Sequence, residues 1–252
     1  MTQLNSNTVN PEKAAEYPLT VLNSTTDFHK GAALLIEKPV DWSSFDVVKK
    51  IRNLICHKLE VKKIKVGHAG TLDPLATGLM IICTGKATKQ IESYQGMPKE
   101  YEATIRLGQT TPSFDLETEV DGEYPTEHIT TEIILNLFHD LIGESEQVPP
   151  LFSAKRFGGK RAYEYARQGK EMELSPTKIT IHELELLDFA DNLLRIRIKC
   201  SKGTYIRALA RDIGLALESG AYLAELRRTA IGPFSVKDAL VPKKFEEMLN
   251  NM

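Results

Sequence analysis

The stretch "KITIHELELLDFADNLLRIRIKC", residues 178–200, decides the fold class because it contains two alternating patterns. In its second half, Leu194, Ile196 and Ile198 alternate with basic side chains. A period of two residues is that of a β-strand with one buried face. The tripeptide "ADN" between the halves favours a turn. The stretch therefore predicts an antiparallel hairpin whose second strand turns a basic face to solvent or to anions.

Strand and helix patterns are mixed along the rest of the chain. Strands are predicted for "GAALLIEKP" (31–39), "LMIICTG" (79–85) and "YEATIRL" (101–107). Helices are predicted for "SSFDVVKKIRNLIC" (43–56), "KATKQIESY" (86–94), "TEIILNLFHDLIG" (131–143), "SKGTYIRALARDIGLALESG" (201–220) and "KKFEEMLNN" (243–251). Because these patterns do not follow a regular βαβ order, we predict an α+β fold with a mixed, mostly antiparallel sheet flanked by helices.

The first of these helices has a clear start signal. Ser43 and Asp46 have the spacing of a capping box, in which each residue bonds the other's backbone. Apolar residues at helical spacing are predicted to form its buried face: Phe45, Val48, Ile51 and Ile55.

Length and composition are those of a globular protein. The chain has 252 residues, of which 42% are hydrophobic and 26% charged, so about 70 to 75% of the unfolded surface can be buried. We predict a polar N-terminal extension over residues 1–30 and one domain over residues 31–252. No apolar run reaches the roughly 20 residues that span a bilayer, and the N-terminus lacks a signal peptide. A cytoplasmic location is therefore expected.

Several chemistries find no support in the sequence. Cys56, Cys83 and Cys200 are far apart in apolar patterns, which favours buried free thiols over a disulfide framework or a zinc site. The motifs of P-loop nucleotide sites, dinucleotide sites, zinc proteases and serine hydrolases are absent.

Charge is segregated along the chain, although the formal net charge is only −2. Residues 47–66 hold seven Lys or Arg against one Glu, whereas residues 107–154 hold ten Asp or Glu and no Lys or Arg. Beyond them, basic and aromatic residues are interleaved between Lys155 and Arg167. Such segregation suits a basic face that binds polyanions such as RNA. Solvated helix surfaces could produce it equally.

The stretch "GHAGTLDP" (67–74) places a carboxylate, Asp73, on a glycine-broken segment before a proline. Gly67 and Gly70 permit backbone conformations closed to other residues, and Pro74 biases Asp73 toward an extended conformation. Taken alone, an Asp before Pro is typical of a turn opener or a helix N-cap.

Five separated stretches together identify a family. "LLIEKPVDWSSFDVVKKIR", "GHAGTLDPLATGLMIICTGKATK", "KEYEATIRLGQTTPSFD", "CSKGTYIRALARDIG" and "LRRTAIGPF" occur in this order between residues 31 and 240. In this arrangement the chain resembles the TruB family of tRNA pseudouridine synthases. The resemblance implies the pseudouridine synthase fold with an RNA-binding cleft, and tRNA as the partner. It also implies that Asp73 is the catalytic carboxylate acting on uridine 55 of the T loop, without cofactor or metal.

The resemblance also implies roles for residues outside that stretch. Arg207 of "GTYIR" would pair with Asp73 and keep the carboxylate charged. Tyr205 would stack on the flipped base and help remove its C5 proton, while Tyr101 and Leu226 would line the uracil pocket. Taken singly, Tyr101 and Leu226 are more typical of core residues.

Other residues would bind or support the substrate. His68 would fill the place vacated in the T loop or contact the flipped nucleotide, and Lys38, with Pro39, matches the family's "KP" motif and would support the catalytic loop beside the substrate. Phosphate contacts are predicted for basic side chains, namely Lys49, Lys50, Lys62, Lys63, Lys65, Arg156 and Lys160.

Several points stay open at the level of sequence. Attack at C1′, addition at C6 and abstraction of the C2′ proton are all possible for Asp73. Many bacterial relatives continue into an RNA-binding PUA domain, for which the residues after Phe234 are too few, so we expect no PUA domain, and we expect a monomer. The alternative functions are a non-catalytic tRNA-binding protein or folding chaperone, and a carboxylate-dependent nucleosidase or glycosidase that would release free base.

Overall fold

The chain divides into two compact units, which are described separately. In the computed structural model the described residues are 19–153, 156–157, 160–161 and 174–252. Unit 1 comprises Met1–Met97 and Ile231–Met252, and unit 2 comprises Pro98–Ala230. The basic, aromatic-bearing segment predicted after residue 154 lies outside the described residues, apart from the backbone of two short strands.

Unit 1 contains a group of antiparallel strands: β1 (Ala33–Lys38), β2 (Val66–His68) and β3 (Thr77–Thr84). Both β1 and β2 pair with β3. Strand β3 is buried along nearly its whole length, as its continuous apolar sequence predicts for a strand covered on both faces. These strands frame the connection between β2 and β3, which carries Asp73.

Helix α1 (Ser44–Lys58) follows β1, as predicted. Its capping box is confirmed, since Ser43 Oγ accepts a hydrogen bond from the Asp46 N–H at 3.1 Å and the Ser43 N–H donates to Asp46 Oδ2 at 2.9 Å. These two bonds satisfy backbone and side-chain groups at the helix start. They also set the point at which the chain leaves β1 and enters α1.

The predicted buried face of α1 is wrong at Phe45, whose exposed fraction is 62%, and confirmed at the other three positions. Ser44 occupies the buried position one turn before Val48 instead. A hydroxyl can be buried there because it is hydrogen bonded to the backbone of Leu72. The prediction from apolar periodicity therefore failed where a hydrogen-bonded serine, Ser44, takes the buried position.

Residues 19–30, which the sequence analysis places in a polar extension, form part of unit 1. Leu22 and Phe28 are buried, and Thr84 Oγ1 donates a hydrogen bond to the Phe28 carbonyl at 3.0 Å. Gly85 makes this approach possible, because a Cβ there would lie 2.4 Å from the Phe28 carbonyl oxygen. Residues 19–30 therefore contribute buried side chains to unit 1.

Unit 2 is built on a sheet in which sequence order and spatial order differ. Its strands follow the order β12 (Ala221–Ile231), β4 (Lys99–Leu107), β11 (Leu193–Cys200), β10 (Thr177–Ala190) and β7 (Gly143–Gln147). The pairs β4–β11, β11–β10 and β10–β7 are antiparallel. The predicted α+β class with a mostly antiparallel sheet is confirmed.

The predicted hairpin is strands β10 and β11. Its two-residue turn, Asp191–Asn192, has φ values of 52° and 59°. Positive φ at both central residues matches the right-handed twist of the strands, and Asp and Asn tolerate it better than most residues. The "ADN" signal is confirmed as a turn.

The two faces of β11 differ as predicted. Leu194, Ile196, Ile198 and Cys200 are buried on one face, whereas two basic side chains on the other face pair with carboxylates. Arg197 lies 2.7 Å from Glu185 and 3.3 Å from Glu102, and Lys199 lies 2.7 Å from Glu183. Both predicted partners of this basic face, solvent and anions, occur: Arg195 is exposed to solvent, and Arg197 and Lys199 face carboxylates.

The remaining described elements are helices and short strands. The helices are α2 (Ile91–Gly96), α3 (Thr131–Leu141), α4 (Ile206–Ala216) and α5 (Pro242–Asn250), with 3₁₀ turns at Gly85–Gln90 and Val236–Asp238. The short strands are β5 (Gln109–Thr110), β6 (Gly122–Glu123), β8 (Arg156–Phe157), β9 (Lys160–Arg161) and β13 (Phe234–Ser235). Within the described ranges, no helix is long and apolar enough to cross a membrane.

Candidate functional site

The segment that carries Asp73 is held by hydrogen bonds to the backbone groups of the two residues beside Asp73, Leu72 and Pro74. Ser44 Oγ accepts a hydrogen bond from the Leu72 N–H at 2.8 Å and donates to the Leu72 carbonyl at 3.0 Å. On the other side, the Pro74 carbonyl accepts from the Asp41 N–H at 3.0 Å. Asp73 itself is half-buried. Its side chain is thus partly accessible on a backbone held by three hydrogen bonds.

Lys38 gives this segment a further support. Its ammonium donates to the carbonyls of Pro39 and Pro74, each at 2.9 Å, and to that of Trp42. Burial lowers the pKa of Lys38 to about 8, although the negative charges of Asp73 and Asp41 oppose the shift. Because Lys38 has an exposed fraction of 0%, its position favours support of the Asp73 segment over direct contact with a substrate.

His68 lies at the end of β2, opposite Ile82 of β3, and is half-buried. It precedes the Asp73 segment, and the next residue, Ala69, donates its N–H to the Ile81 carbonyl at 2.9 Å. The strand pairing therefore continues up to the point where the loop begins.

In unit 2, Arg207 occupies the first turn of α4 and is almost fully buried, with an exposed fraction of 3%. Its guanidinium donates to the Phe152 carbonyl at 2.7 Å and to the Ser113 carbonyl at 3.3 Å. Arg207 Nε lies 3.5 Å from Asp115 Oδ2. A buried guanidinium needs such partners, since an uncompensated buried charge is strongly destabilising.

Asp115 is held in place by its own turn, which belongs to the quoted "TTPSFD" stretch. Asp115 Oδ1 accepts from the Glu117 N–H at 3.0 Å, and the Asp115 carbonyl accepts from Thr111 Oγ1 at 2.7 Å. Asp115 has an exposed fraction of 4%. Its carboxylate is therefore a preorganised partner for a cation.

Tyr205 is the N-cap residue of α4, and the buried side chain of Gln147 binds its backbone twice. Gln147 Oε1 accepts from the Tyr205 N–H at 2.8 Å, and Gln147 Nε2 donates to the Tyr205 carbonyl at 3.2 Å. The amide group thus matches both backbone groups of one residue. Strand β7 thereby fixes the start of the helix that carries Arg207.

Tyr101 and Leu226 lie on neighbouring strands of unit 2, β4 and β12. Tyr101 is buried and Leu226 is half-buried. Lys99 stands two positions before Tyr101, and Arg228 stands two positions after Leu226, so each cation shares a strand face with that neighbour. Both cations are buried. Burial, with the nearby charge of Arg228, lowers the pKa of Lys99 to about 8. Apolar side chains and positive charge therefore occur on the same strands.

The predicted site residues are divided between the two units. Lys38, His68 and Asp73 belong to unit 1, and Tyr101, Tyr205, Arg207 and Leu226 belong to unit 2. The structure brings Lys38 next to the Asp73 segment and Gln147 onto Tyr205. The pairing of Asp73 with Arg207 stays a prediction.

The predicted phosphate-binding lysines of unit 1 differ in their surroundings. Lys49 and Lys50 line an open cleft with Asp41, Trp42 and Asp46, but Lys50 also forms a 2.7 Å ion pair with Glu246 of α5. Three further lysines of the set are exposed in the connection between α1 and β2, namely Lys62, Lys63 and Lys65. Arg156 and Lys160 fall in the segment whose side chains lie outside the described part of the chain.

Three residues that support the site were not predicted from the sequence: Ser44, Asp115 and Gln147. Ser44 stands directly after a predicted N-cap, and Asp115 ends a stretch quoted for the resemblance, so both could have been marked for attention. Gln147 had no sequence signal, because its partner lies 58 residues away in the chain. Among the described residues, no group of three or more His, Cys, Asp or Glu side chains could hold a metal ion.

Comparison with known proteins gives consistent matches over most of the chain. Residues 57–206 match the N-terminal domain of TruB family pseudouridylate synthases, and residues 207–251 match the C-terminal domain of tRNA pseudouridylate synthase B. The tRNA pseudouridine synthase B of Phocaeicola vulgatus is 58% identical over 224 residues, which are 89% of this chain and 95% of that protein. The protein of the same name from Bacteroides thetaiotaomicron is 56% identical over 228 residues, or 89% of this chain and 95% of that protein.

Solved structures share the fold. A Cbf5–Nop10–Gar1 complex contains a chain with a TM-score of 0.65 and 26% identity, over 87% of this chain and 54% of that chain. An archaeal box H/ACA Nop10–Cbf5 complex contains one with a TM-score of 0.63 and 24% identity, over 88% of this chain and 55% of that chain. The present chain therefore spans about half the length of those two chains.

Proposed function

Since the chain belongs to the TruB family of pseudouridylate synthases, we propose that it isomerises uridine 55 in the T loop of tRNA to pseudouridine. The bond between ribose C1′ and uracil N1 breaks, and C1′ joins uracil C5. The proton on C5 leaves and N1 gains one, so the reaction is balanced without a cofactor. In this proposal Asp73 is the catalytic carboxylate.

One observation carries the assignment of Asp73: a half-buried carboxylate stands on a segment whose neighbouring backbone groups are all held. Leu72 is bound by Ser44, and Pro74 is bound by Lys38. Such preorganisation lets a reacting group stay in place without a cost at the moment of reaction. A solvent-exposed turn would need none of these contacts.

A carboxylate suits this chemistry because it is ionised at neutral pH and can act as a nucleophile or as a base. It could attack C1′, add to C6 or remove the C2′ proton. Each route begins with a negatively charged oxygen beside the ribose or the base, so all three depend on the Asp73 segment in the same way.

Arg207 and Tyr205 are the proposed partners of Asp73. Arg207 pairs with the Asp73 carboxylate and keeps it charged, and its own position is supported by Asp115. Tyr205 stacks on the flipped uracil and assists the loss of the C5 proton. Its backbone is held by Gln147, which fixes the origin of the side chain.

The target uracil must leave the folded T loop before it can react, which costs a few kcal/mol. Stacking on an aromatic ring returns about 1 to 3 kcal/mol per base, so Tyr205 can offset much of that cost. Tyr101 and Leu226 line the uracil pocket. His68 takes the vacated place in the T loop or contacts the flipped nucleotide.

The T stem is held through its phosphates by exposed lysines of unit 1. Lys62, Lys63 and Lys65 fit this role better than Lys50, whose ammonium is paired with Glu246. Such contacts position an RNA without reading its sequence. The proposal includes action as a monomer in the cytoplasm, without a metal ion.

The test uses purified protein, its Asp73→Asn variant and an unmodified tRNA transcript. Pseudouridine at position 55 is quantified by mass spectrometry, and RNA binding is measured in parallel. A matched transcript with cytidine at position 55 is the control for site selectivity. We expect pseudouridine from the native protein alone, with RNA binding retained in Asp73→Asn.

Other products separate the alternative functions. Binding without pseudouridine from either protein would identify a tRNA-binding protein or folding chaperone. Release of free uracil would identify a nucleosidase. Pseudouridine formed by Asp73→Asn at the native rate would overturn the assignment of Asp73 as the catalytic group.

A further inference from the structure

Arg211 lies one turn after Arg207 on α4, and its guanidinium covers the ring of Phe114 at 5.1 Å from the ring centroid. A spacing of four residues puts both arginines on one face of the helix. Phe114 stands between Ser113 and Asp115, the two residues of its turn that contact Arg207. The two arginines therefore contact the same turn. Arg211 contacts Phe114 at its centre, and Arg207 contacts Ser113 and Asp115 on either side.

Phe114 has an unusual backbone conformation, with a φ of 62°. A bulky side chain in the left-handed region is uncommon and costs free energy, so the surroundings must hold it there. Two contacts do so: the Phe114 carbonyl accepts from the Leu223 N–H at 2.9 Å, and the ring lies under the Arg211 cation. The left-handed residue lets both of its neighbours face Arg207.

A second segment is shared by the same two arginines. Arg211 Nη2 donates to the Val148 carbonyl at 3.2 Å, and Arg207 Nη2 donates to the Phe152 carbonyl at 2.7 Å. Asp212 fixes the orientation of the Arg211 guanidinium, since its Oδ1 accepts from Nε at 2.9 Å and from Nη2 at 2.7 Å. The plane over the Phe114 ring is therefore set by a charged hydrogen-bond pair.

We propose that Arg211 and Phe114 form a positioning clamp that sets the orientation of Arg207. Arg211 presses the Phe114 ring and the Val148 carbonyl into place, and the turn and the segment so held present their acceptors to the Arg207 guanidinium. Arg211 touches neither Asp73 nor the substrate in this proposal. It rests on the proposed function for its effect on the reaction, but the orientation of Arg207 is measurable without any reaction.

A simple surface role for Arg211 is the alternative. A half-exposed arginine can bind RNA phosphate, or it can merely contribute to the stability of α4. If Arg211 has either of these roles, its replacement leaves the orientation of Arg207 unchanged. If Arg211 is part of the clamp, its replacement changes that orientation. A direct probe of Arg207 therefore separates the three roles.

The variants are Arg211→Gln, which removes the cation, and Phe114→Leu, which removes the aromatic face but keeps apolar bulk. Arg211→Lys keeps a cation over the ring and loses the planar fork, so it should restore part of the effect. Arg197→Gln is the matched control, because Arg197 is held by carboxylates on the outer face of the unit 2 sheet. The double variant Arg211→Gln with Phe114→Leu tests coupling.

The first readout is the water exchange of the Arg207 Nε–H by NMR, assigned through its loss in Arg207→Lys. The second is the rate and KM of pseudouridine formation on a tRNA transcript. The clamp predicts exchange about tenfold faster and kcat about tenfold lower in Arg211→Gln and in Phe114→Leu, with KM within about twofold. In the double variant, the exchange rate and kcat should be no further from the native values than in either single variant. In Arg211→Lys, both values should lie between those of the native protein and those of Arg211→Gln.

Contrary results are equally specific. A raised KM with unchanged kcat and unchanged Arg207 exchange would make Arg211 an RNA contact and overturn the clamp. A lowered melting temperature with native exchange and native kcat per folded molecule would leave it a stabilising residue only, and also overturn the clamp. If the native protein forms no pseudouridine, the proposed function fails, while the exchange of Arg207 still decides the clamp.

Discussion

The Ser44 hydroxyl binds both backbone groups of Leu72, accepting from its N–H at 2.8 Å and donating to its carbonyl at 3.0 Å. This contact joins the first turn of α1 to the residue before Asp73. Both partners are buried, so water does not readily replace the lost hydrogen bonds if the hydroxyl is removed. Ser44 is therefore a positioning residue for the proposed catalytic carboxylate.

Replacing Ser44 with alanine should reduce turnover more than binding. Loss of the two buried hydrogen bonds lets the Asp73 segment move, and we expect kcat for pseudouridine formation to fall about tenfold with KM within about twofold. Single-turnover assays on a tRNA transcript measure the rate.

The neighbouring Ser43→Ala is the matched control for Ser44→Ala. Ser43 caps α1 through Asp46, so its loss should lower the free energy of unfolding by about 1 kcal/mol and leave kcat unchanged. Equal kcat values in the two variants would show that the Asp73 segment does not depend on Ser44.

The secondary structure could be predicted from the sequence where one face of an element is apolar throughout. The alternation in β4 and β11 and the capping box of α1 are local signals, and the structure confirms them. The prediction failed at Phe45 because a local period cannot show that Ser44 has a distant polar partner. Hydrogen bonds between residues far apart in the chain produce no periodic pattern in the sequence.

Lys38 should make the stability of the protein depend on pH in the alkaline range. Burial lowers its pKa in the folded state from 10.5 to about 8, so between these values the unfolded state binds more protons. Stability therefore rises with pH across this window relative to a variant without the lysine. Urea unfolding of the native protein and of Lys38→Met, at intervals from pH 7 to 10.5, should give a difference that grows by at most about 3 kcal/mol.

The subtraction between native protein and Lys38→Met removes the contribution of Lys99, whose pKa is also lowered to about 8. A difference that stays constant from pH 7 to 10.5 would contradict a perturbed Lys38. Activity should change in the opposite direction to stability. A neutral amine has only two N–H groups for the three carbonyls that the ammonium binds, so the support of Pro74 weakens above pH 8.

Gln147 offers a similar test for Tyr205. In Gln147→Leu the half-buried N–H and carbonyl of Tyr205 lose their side-chain partner, and we expect kcat to fall about tenfold. Gln147→Glu keeps an acceptor for the N–H but loses the donor to the carbonyl, so its rate should be intermediate. Gln109→Leu is the control, since the contact of Gln109 with Glu123 is exposed and 3.4 Å long. Native turnover by Gln147→Leu would exclude a positioning role.

The family stretches marked most of the candidate site, but the residues that hold it in place were mostly invisible in the sequence. Asp73 and Arg207 stand in dense motifs, and their residue types match the chemistry. Asp115 lay in a quoted stretch without a role, because a single Asp after a Phe has many uses. Only the fold shows that a left-handed Phe114 turns it toward α4.

Asp115 provides the last test, because it is a buried anion that faces Arg207. Asp115→Asn keeps an oxygen for the Glu117 N–H but removes the charge 3.5 Å from the Arg207 guanidinium. Removing a buried anion that faces a buried cation is costly, so we expect the free energy of unfolding to fall by about 2 kcal/mol and kcat to fall by about 100-fold. Asp121→Asn, at an exposed carboxylate bonded by Thr110, should change neither value.

The role of the Asp115 charge can be separated from general destabilisation by combining variants. If Asp115 acts through Arg207, the kcat of Arg207→Gln should hardly change when Asp115→Asn is added, whereas independent effects would multiply. Activities are compared at a temperature at which circular dichroism shows both variants folded. Multiplicative losses would mean that Asp115 supports the reaction by a route that does not pass through Arg207. Of the contacts described for Arg207 in unit 2, the hydrogen bonds to the Ser113 and Phe152 carbonyls would then be the ones that position it.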